Sequence, residues 1–451
     1  MKRKIYDKML EWKKTNGKSA LFIDGPRRVG KSYIALEFGK REYKSYVFID
    51  FFQTSEEVTS LFSSLKSDLD TLFLTLSLIY NTNLYERDTL FIFDEIEFCP
   101  AARSLIKYLV ADGRFDYLET GSLVSIKANV KNILIPSEET HIYLYPLDFE
   151  EFLWAMSNII TFPYIKKAFN KLEVIPDAIH RKIMTLFRTY LIVGGMPQAV
   201  LSYLDNKDDF NFNEVEKVKQ NILTLYRNDM RKYSYGLERK IEDLFNGIPS
   251  ELSKHEKKYN LSNINKDARY RTYEDAIFWL VDAGLINITY NVTEPNIGFK
   301  LSEARNTFKA YLFDTGLLLS LTFGSNLDNI NEIYKKIILN KLDFNNGMIL
   351  ENMVAQILKS TGHNLNFFSK YAREAASRME IDFVINKRDI TNKHNITAIE
   401  VKSGKRYTYN SLNKFKAKYS EYLDKMVIIH TDNLKVENNI LFIPIYMTYF
   451  L

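Results

Sequence analysis

The sequence has one cysteine, Cys99, and no long apolar run among its 451 residues. A single cysteine excludes an intramolecular disulfide and any zinc site built from cysteines, and it is typical of a reducing compartment. Because no apolar stretch reaches the roughly 18 residues that a membrane span needs, we expect no transmembrane helix. The basic start, Met1–Tyr6, is not followed by the apolar segment of a secretory signal. These absences predict a soluble, cytoplasmic protein with no membrane partner.

The net charge is small, because 61 Lys and Arg residues nearly balance 56 Asp and Glu residues and leave a net charge of +5. This mild excess permits contact with nucleic acid without arguing for it. A hydrophobic fraction of 46% excludes wholesale disorder. The chain is too long for a single core, so we expect several domains.

The segment Gly25-Pro26-Arg27-Arg28-Val29-Gly30-Lys31-Ser32 fits the P-loop pattern G-x-x-x-x-G-K-[ST] at every fixed position. An apolar stretch over 19–24 predicts a strand before it, and a helix is predicted from Tyr33 onward. In that context the backbone N–H groups and the helix N-terminus can surround a polyphosphate. We predict that residues 25–33 bind ATP, with Lys31 at the β- and γ-phosphates and Ser32 on Mg²⁺. Adenine is not distinguished from guanine by the sequence.

The stretch Leu90–Glu95 has four apolar residues followed by two acids, which is the pattern of a Walker B strand. We expect Asp94 in the Mg²⁺ shell and Glu95 as the group that polarises the attacking water. A further strand over 115–122 ends in small polar residues, of which Ser122 or Thr120 would sense the γ-phosphate. A plain strand-end turn is the alternative there. Strands that alternate with helices predict a parallel sheet with its ligand at the carboxyl ends.

The middle of the chain predicts helices over 147–235, with a break at Gly194-Gly195-Met196-Pro197. The region 236–335 changes character, because an apolar helix that ends near Gly284 is followed by a strand, as in a winged-helix module. Such modules contact DNA or serve as lids in ATPases, and both readings stay open. The basic residues nearby are typical of a solvated face more than of a DNA-binding stripe; they are Lys254, Lys257, Lys258, Lys266, Arg269 and Arg271.

The last part of the chain holds a second group of candidate residues. Glu351 lies in an apolar helix, Asp382 in a strand, and Glu400 and Lys402 two apart in the next strand, where period two puts both on one face. Converging carboxylates and a lysine can hold Mg²⁺ or Mn²⁺ and activate water against a phosphodiester. We therefore predict a second metal site at the three acids, with Lys402 as a catalytic residue.

Together these motifs resemble those of bacterial and archaeal AAA-type ATPases that end in a restriction-endonuclease-like domain of unassigned function. The likeness covers essentially the full length. It rests on Gly25–Ser32, Phe93–Glu95, Thr120–Ser122, Pro146–Phe152, Gly194–Pro197, Tyr311–Leu317 and the C-terminal set Glu351, Asp382, Glu400 and Lys402.

The resemblance implies an α/β fold with a parallel sheet of order 5-1-4-3-2, a helical lid, a winged helix and a PD-(D/E)xK-like end domain. The domains it implies are a P-loop ATPase core at 1–150, a lid at 151–235, a winged-helix-like module at 236–335 and an endonuclease-like domain at 336–451. It also suggests kinship with signal-transduction ATPases, in which a Gly-x-Pro segment packs near the base. This kinship assigns Pro197 to nucleotide binding.

Two functions remain open at this point. The first is an ATP-hydrolysing switch that acts on, or is regulated by, nucleic acid and carries a metal-dependent nuclease domain. The second is a nucleotide-dependent interaction protein whose end domain docks a protein partner without catalysis. Metal binding at Asp382 and Glu400 is the feature that separates them.

Overall fold

The computed structural model describes residues 1–121, 137–206, 211–234, 236–254, 256–296, 298–324, 329–341, 346–370, 378–387, 393–404 and 407–451. The chain forms two compact units. The first is Met1–Pro146 with Asp282–Gly284, and the second is Leu147–Val281 with Leu285–Leu451. Within the described ranges, every helix is too short or too polar to cross a membrane.

The first unit alternates helices and strands in chain order. Its elements are α1 (Ile5–Lys13), β1 (Ala20–Asp24), α2 (Lys31–Glu42), β2 (Ser45–Asp50), α3 (Glu56–Ser64), α4 (Leu69–Ile79), β3 (Thr89–Asp94), α5 (Pro100–Asp112), β4 (Asp116–Thr120) and β5 (Glu139–Tyr143).

The five strands form a parallel sheet of order β2-β3-β4-β1-β5. This is the predicted order 5-1-4-3-2 taken from the other edge, so the predicted α/β fold class is confirmed. Because β1 lies between β4 and β5 and the strands are parallel, the carboxyl ends of β1, β3 and β4 share one edge of the sheet. That edge carries the P-loop, the Walker B acids and Thr120.

Aromatic side chains fill one side of this sheet, and helices α3 to α5 cover it. Strand β3 is buried along its whole length, which explains its continuous apolar run. Phe91 stacks on Tyr117 of β4 with ring centroids 5.8 Å apart, and Phe93 packs edge-to-face on Phe62 of α3 at 5.6 Å. Such ring pairs contribute about 0.5–1.5 kcal/mol each beyond their buried area. The packing therefore fixes the strand that delivers Asp94.

The second unit begins with helices. They are α6 (Phe149–Ala155), α7 (Thr161–Lys171), α8 (Asp177–Val193), α9 (Pro197–Asn206), α10 (Asn213–Tyr233), α11 (Glu238–Ser253) and α12 (Tyr270–Asp282). Strands and further helices follow: β6 (Ile286–Val292), β7 (Glu303–Leu312), α13 (Thr315–Phe323), α14 (Ile330–Ile338), α15 (Asn346–Ser360), β8 (Asn366–Lys370), β9 (Met379–Asn386), β10 (Ile396–Val401), α16 (Asn410–Tyr419), β11 (Leu423–His430), β12 (Lys435–Glu437) and β13 (Ile440–Pro444).

In this part of the chain the described strands form an eight-stranded mixed sheet of order β12-β13-β11-β10-β9-β8-β6-β7. Strands β6 and β7 form an antiparallel hairpin after α12, and β6 is the strand that the sequence predicts after the apolar helix. The hairpin belongs to the same sheet as the strands that follow it, because β6 pairs in parallel with β8. The division of this unit at residues 235 and 335 stays a prediction.

Helix α15 is buried almost all round, and two of its polar side chains bind backbone groups of neighbouring elements. The Asn352 amide accepts a hydrogen bond from Leu312 N at 2.7 Å and donates to Leu312 O at 3.1 Å. Gln356 accepts from Thr315 N at 2.8 Å. Since buried polar groups need partners, these bonds fix the end of β7 and the start of α13 against α15.

Candidate functional site

The P-loop runs from the end of β1 to the start of α2. Gly25 has φ +149°, and a Cβ at this position would overlap the carbonyl oxygen of Leu144, so only glycine fits there. Gly30 is the N-cap of α2, which has neither a side-chain cap nor an acid in its first turn. A helix end with uncapped N–H groups and no competing acid is suited to bind an anion.

Lys31 lies folded against its own loop. Its ammonium donates to the carbonyl oxygens of Gly25 at 2.8 Å and Pro26 at 3.1 Å, and the residue is only 6% exposed. Burial lowers the pKa of Lys31, and the negative charge of Glu95 opposes that shift. The loop is also held from outside, because Arg3 donates to Val29 O at 3.0 Å. The Lys31 ammonium is thus held within the P-loop, where a bound phosphate would lie.

The Walker B acids lie beside Thr120. The Thr120 hydroxyl donates to Asp94 Oδ1 at 2.5 Å and accepts from the Glu95 N–H at 3.2 Å. Burial raises the pKa of Asp94, while hydrogen bonds from Thr120 and Ser32 counteract it. Glu95 has φ +51°, a left-handed conformation that costs energy outside glycine and is typical of functional sites. The structure therefore places Lys31, Ser32, Asp94, Glu95 and Thr120 at one sheet edge.

Of the two polar residues predicted at the end of β4, only Thr120 has a described position. Ser122 lies outside the described residues, so its predicted role stays untested. Glu97 is a further buried acid that the motif analysis missed, and it is 1% exposed. Burial and the neighbouring Glu95 raise the pKa of Glu97 to about 8. The sequence signal for Glu97 was its position two residues after Glu95.

The residues at this edge fit a Mg²⁺–nucleotide. Ser32 and Asp94 already share a hydrogen bond and offer the hydroxyl and carboxylate oxygens that Mg²⁺ prefers. Lys31 and the uncapped α2 N-terminus supply the matching positive potential for phosphates.

The break between helices at Gly194–Pro197 is held in place by hydrogen bonds to a second sequence motif, residues 311–317. Asp314 accepts hydrogen bonds from Gly195 N at 2.7 Å and from Leu317 N at 2.9 Å. Pro197 is the first residue of α9. The two motifs therefore meet as one structural clamp inside the second unit. The predicted role of Pro197 at the nucleotide base stays a prediction.

Two of the C-terminal candidates, Asp382 and Glu400, lie on neighbouring strands. Strands β9 and β10 are antiparallel neighbours, and Asp382 Oδ2 accepts from Val401 N at 2.8 Å. Lys402 Nζ lies 2.6 Å from Glu400 Oε2. Burial raises the pKa of Asp382 and of Glu400, and Lys402 opposes the shift at Glu400.

Three residues outside the predicted set complete this cluster. Tyr311 donates to Glu351 Oε1 at 2.6 Å, and Lys309 Nζ lies 3.3 Å from the same oxygen. Lys257 forms an ion pair with the other oxygen, Glu351 Oε2. Burial would raise the pKa of Glu351, but Lys257 and Lys309 outweigh it and hold the pKa at about 2. A lysine in the otherwise apolar run 308–313 was the signal for Lys309.

A metal does not fit this cluster as it is arranged. Lys309 is fully buried and lies 3.1 Å from Glu380 and 3.7 Å from Asp382, in addition to its contact with Glu351. Burial would lower the pKa of Lys309, yet the surrounding carboxylates raise it, so the ammonium stays charged. No group of three or more His, Cys, Asp or Glu side chains in the described ranges is placed to hold a metal ion. The predicted second metal site is therefore not supported by the geometry.

Comparison with family models gives three matches. Residues 17–153 match an AAA domain, residues 184–329 match a domain of unknown function (DUF8612), and residues 346–448 match another (DUF4143). A comparison with curated proteins finds no match.

Three solved structures have similar segments at low identity. The chain matches the Orc1 protein of Aeropyrum pernix, solved in complex with DNA, at 10% identity and a TM-score of 0.29, covering 73% of this chain and 95% of that one. It matches Cdc6p of Pyrobaculum aerophilum at 13% identity and 0.28, covering 76% and 96%. It matches a STAND signal-transduction ATPase with a tetratricopeptide-repeat sensor from Pyrococcus horikoshii at 12% identity and 0.25, covering 78% and 47%.

These TM-scores are too low to transfer the function of those proteins to this chain. The fold of the first unit is supported by three other observations. They are the AAA-domain match over residues 17–153, the P-loop and the strand order. The first unit of this chain has the fold of an AAA-type P-loop ATPase.

Proposed function

We propose that this chain is a Mg²⁺-dependent, ATP-hydrolysing switch with its nucleotide at the P-loop. The observation that carries the proposal is the meeting of Lys31, the uncapped α2 N-terminus and the Asp94–Thr120 pair at one sheet edge. An anion site beside two carboxylates is unfavourable unless a cation or a proton joins it. A magnesium–triphosphate meets both requirements, because its phosphates match the anion site and its Mg²⁺ matches the carboxylates.

Each residue has a distinct task in this proposal. Lys31 exchanges its two carbonyl partners for phosphate oxygens, with which a charged hydrogen bond is stronger. Ser32 and Asp94 would hold Mg²⁺, which would neutralise charge on the phosphates. Glu95 accepts a proton from the attacking water. Thr120 holds Asp94 through its hydroxyl and holds the Glu95 backbone, so it acts as a positioning residue.

The first test is steady-state hydrolysis of ATP and GTP, with Mg²⁺ and with a chelator. We expect Lys31→Ala to abolish nucleotide binding and Thr120→Val to lower kcat by about 10-fold or more with a smaller change in KM. Thr120→Ser keeps the hydroxyl and should restore most of the rate. Thr75→Val removes an exposed hydroxyl on α4 and is the matched control. Full hydrolysis by Lys31→Ala would contradict the proposal.

For the end domain, the buried lysine favours a docking module over a nuclease. Lys309 takes the place among the carboxylates that a metal would need. A metal-dependent nuclease stays the competing function. It predicts that supercoiled DNA is cleaved with Mn²⁺ and that Lys402→Ala abolishes the cleavage.

Nucleic acid remains a proposed partner of the switch, through exposed cationic side chains before and at the start of α12. Two of the basic residues that could contribute are already engaged, because Lys254 pairs with Glu251 at 2.5 Å and Lys257 pairs with Glu351. Lys266, Arg269 and Arg271 are exposed. Anisotropy of labelled DNA, with and without ATP, tests this partner. Binding that Arg271→Ala does not weaken would place the contact elsewhere.

A further inference from the structure

The acid cluster of the end domain contains its own cations. Three carboxylates surround Lys309 Nζ, those of Glu351 at 3.3 Å, Glu380 at 3.1 Å and Asp382 at 3.7 Å. An ammonium group has three N–H donors, so each carboxylate has one donor to meet. The Lys309 side chain is 1% exposed, so water does not share these contacts.

A second lysine meets the same cluster from another segment. Lys257 Nζ forms an ion pair with Glu351 Oε2 and lies 3.4 Å from Gly347 O. Glu351 is thereby held between two ammonium groups and the Tyr311 hydroxyl. Two positive charges against three negative ones leave a net charge near that of a single carboxylate, and the side chains of Glu380 and Asp382 are partly exposed to water.

Both lysines come from chain that precedes residues 346–448, the end domain that matches DUF4143. Lys309 lies in the middle of β7, where it pairs in register with Thr289 of β6. The end of β7 is fixed in turn, because Leu312 N donates to Asn352 of α15. The lysine is therefore delivered by a hydrogen-bonded hairpin and not by a free side chain that could swing away.

We propose that Lys309 and Lys257 replace the divalent cation in this cluster, so that the acids seat the β6–β7 hairpin on the end domain and do no metal-dependent chemistry. A buried carboxylate needs a compensating charge, and here the chain supplies it. The cluster is then a set of internal ion pairs that holds the hairpin in place. This inference does not depend on ATP hydrolysis at the P-loop.

The test is Mn²⁺ binding by calorimetry, together with thermal unfolding, on the full chain. An Asp94→Asn background removes the contribution of the P-loop site. We expect no Mn²⁺ binding by this background protein and a melting temperature that moves by less than about 1 °C with Mn²⁺. Lys309→Met should lower the melting temperature at neutral pH, and Mn²⁺ should then raise it by about 3 °C or more. Lys266→Met, at an exposed site, should behave as the background does.

Lys257→Met serves where Lys309→Met does not fold, because Lys257 is partly exposed and its loss leaves Lys309 in place. The same gain of Mn²⁺ stabilisation is expected at smaller size. Mn²⁺ binding by the background protein that Asp382→Asn removes would overturn the proposal. So would DNA cleavage that depends on Mn²⁺ and on Lys402, or a Lys309→Met variant as stable as the background.

Discussion

Gly194→Ala is the substitution that most sharply tests the clamp between Gly194–Gly195 and Asp314. Gly194 has φ +79° and ψ −175°, a region that is essentially restricted to glycine, and forcing another residue there costs about 1–3 kcal/mol. A Cβ would also overlap Asp314 Oδ1 and push the carboxylate from its two backbone donors. Loss of one charged hydrogen bond adds about 1.5–3 kcal/mol. We therefore expect a loss of stability of about 2.5–6 kcal/mol.

Gly236→Ala is the matched control in the same unit. Gly236 also has a positive φ, +91°, but a Cβ there meets nothing within 4 Å, so only the backbone cost of about 1–2 kcal/mol applies. Urea unfolding can be followed by fluorescence in a Trp12→Phe background, which leaves the tryptophans of the second unit as reporters. Equal midpoint losses in the two alanine variants would refute the reasoning about Asp314.

Three further predictions concern buried ion pairs. The pKa of Glu351 is about 2 in the fold against 4.5 for an ordinary glutamate. Its charge therefore stabilises the fold by ~3 kcal/mol at pH above its ordinary value. This contribution is lost as the pH falls toward 2, so the stability gap between wild type and Glu351→Gln should shrink over that window in acid titrations. Arg103→Met should cost about 3–5 kcal/mol in urea unfolding, because Glu119 loses its partner at 3.0 Å. Lys219→Met should cost a similar amount by leaving the buried charge of Glu216, 3.0 Å away, without its ion-pair partner, and adding Glu216→Gln should recover part of the loss.

The first unit was predictable because its signals are local. The P-loop and the Walker B strand each require a backbone shape that a few consecutive residues determine, and the strand order followed from the resemblance. One local signal in the first unit was missed, because the sequence marks the boundary between helices α3 and α4. Asp68 caps the second by accepting from Thr71 N, which is the usual signature of a helix start.

The end-domain cluster was only half predictable. Asp382 and Glu400 are 18 residues apart, which leaves room for one turn between two strands, so the antiparallel pairing of β9 and β10 is predictable from the sequence. Lys309 is 42 residues before Glu351, and its arrival depends on the parallel pairing of β6 with β8, which no local pattern encodes. Without it, buried carboxylates indicated a metal. The sequence correctly indicated that the buried carboxylates need a compensating positive charge. That charge is the ammonium group of Lys309 and not a metal ion.

Single-turnover hydrolysis of ATP by wild type and Glu95→Gln tests the central claim most directly. We expect both proteins to bind ATP with similar affinity, because Glu95 is not among the phosphate-binding groups, and we expect hydrolysis by the variant to fall by about 100-fold or more. Glu57→Gln, at an exposed site on α3, is the control and should keep the wild-type rate. Undiminished hydrolysis by Glu95→Gln, or no hydrolysis by wild type, would contradict the account of this site.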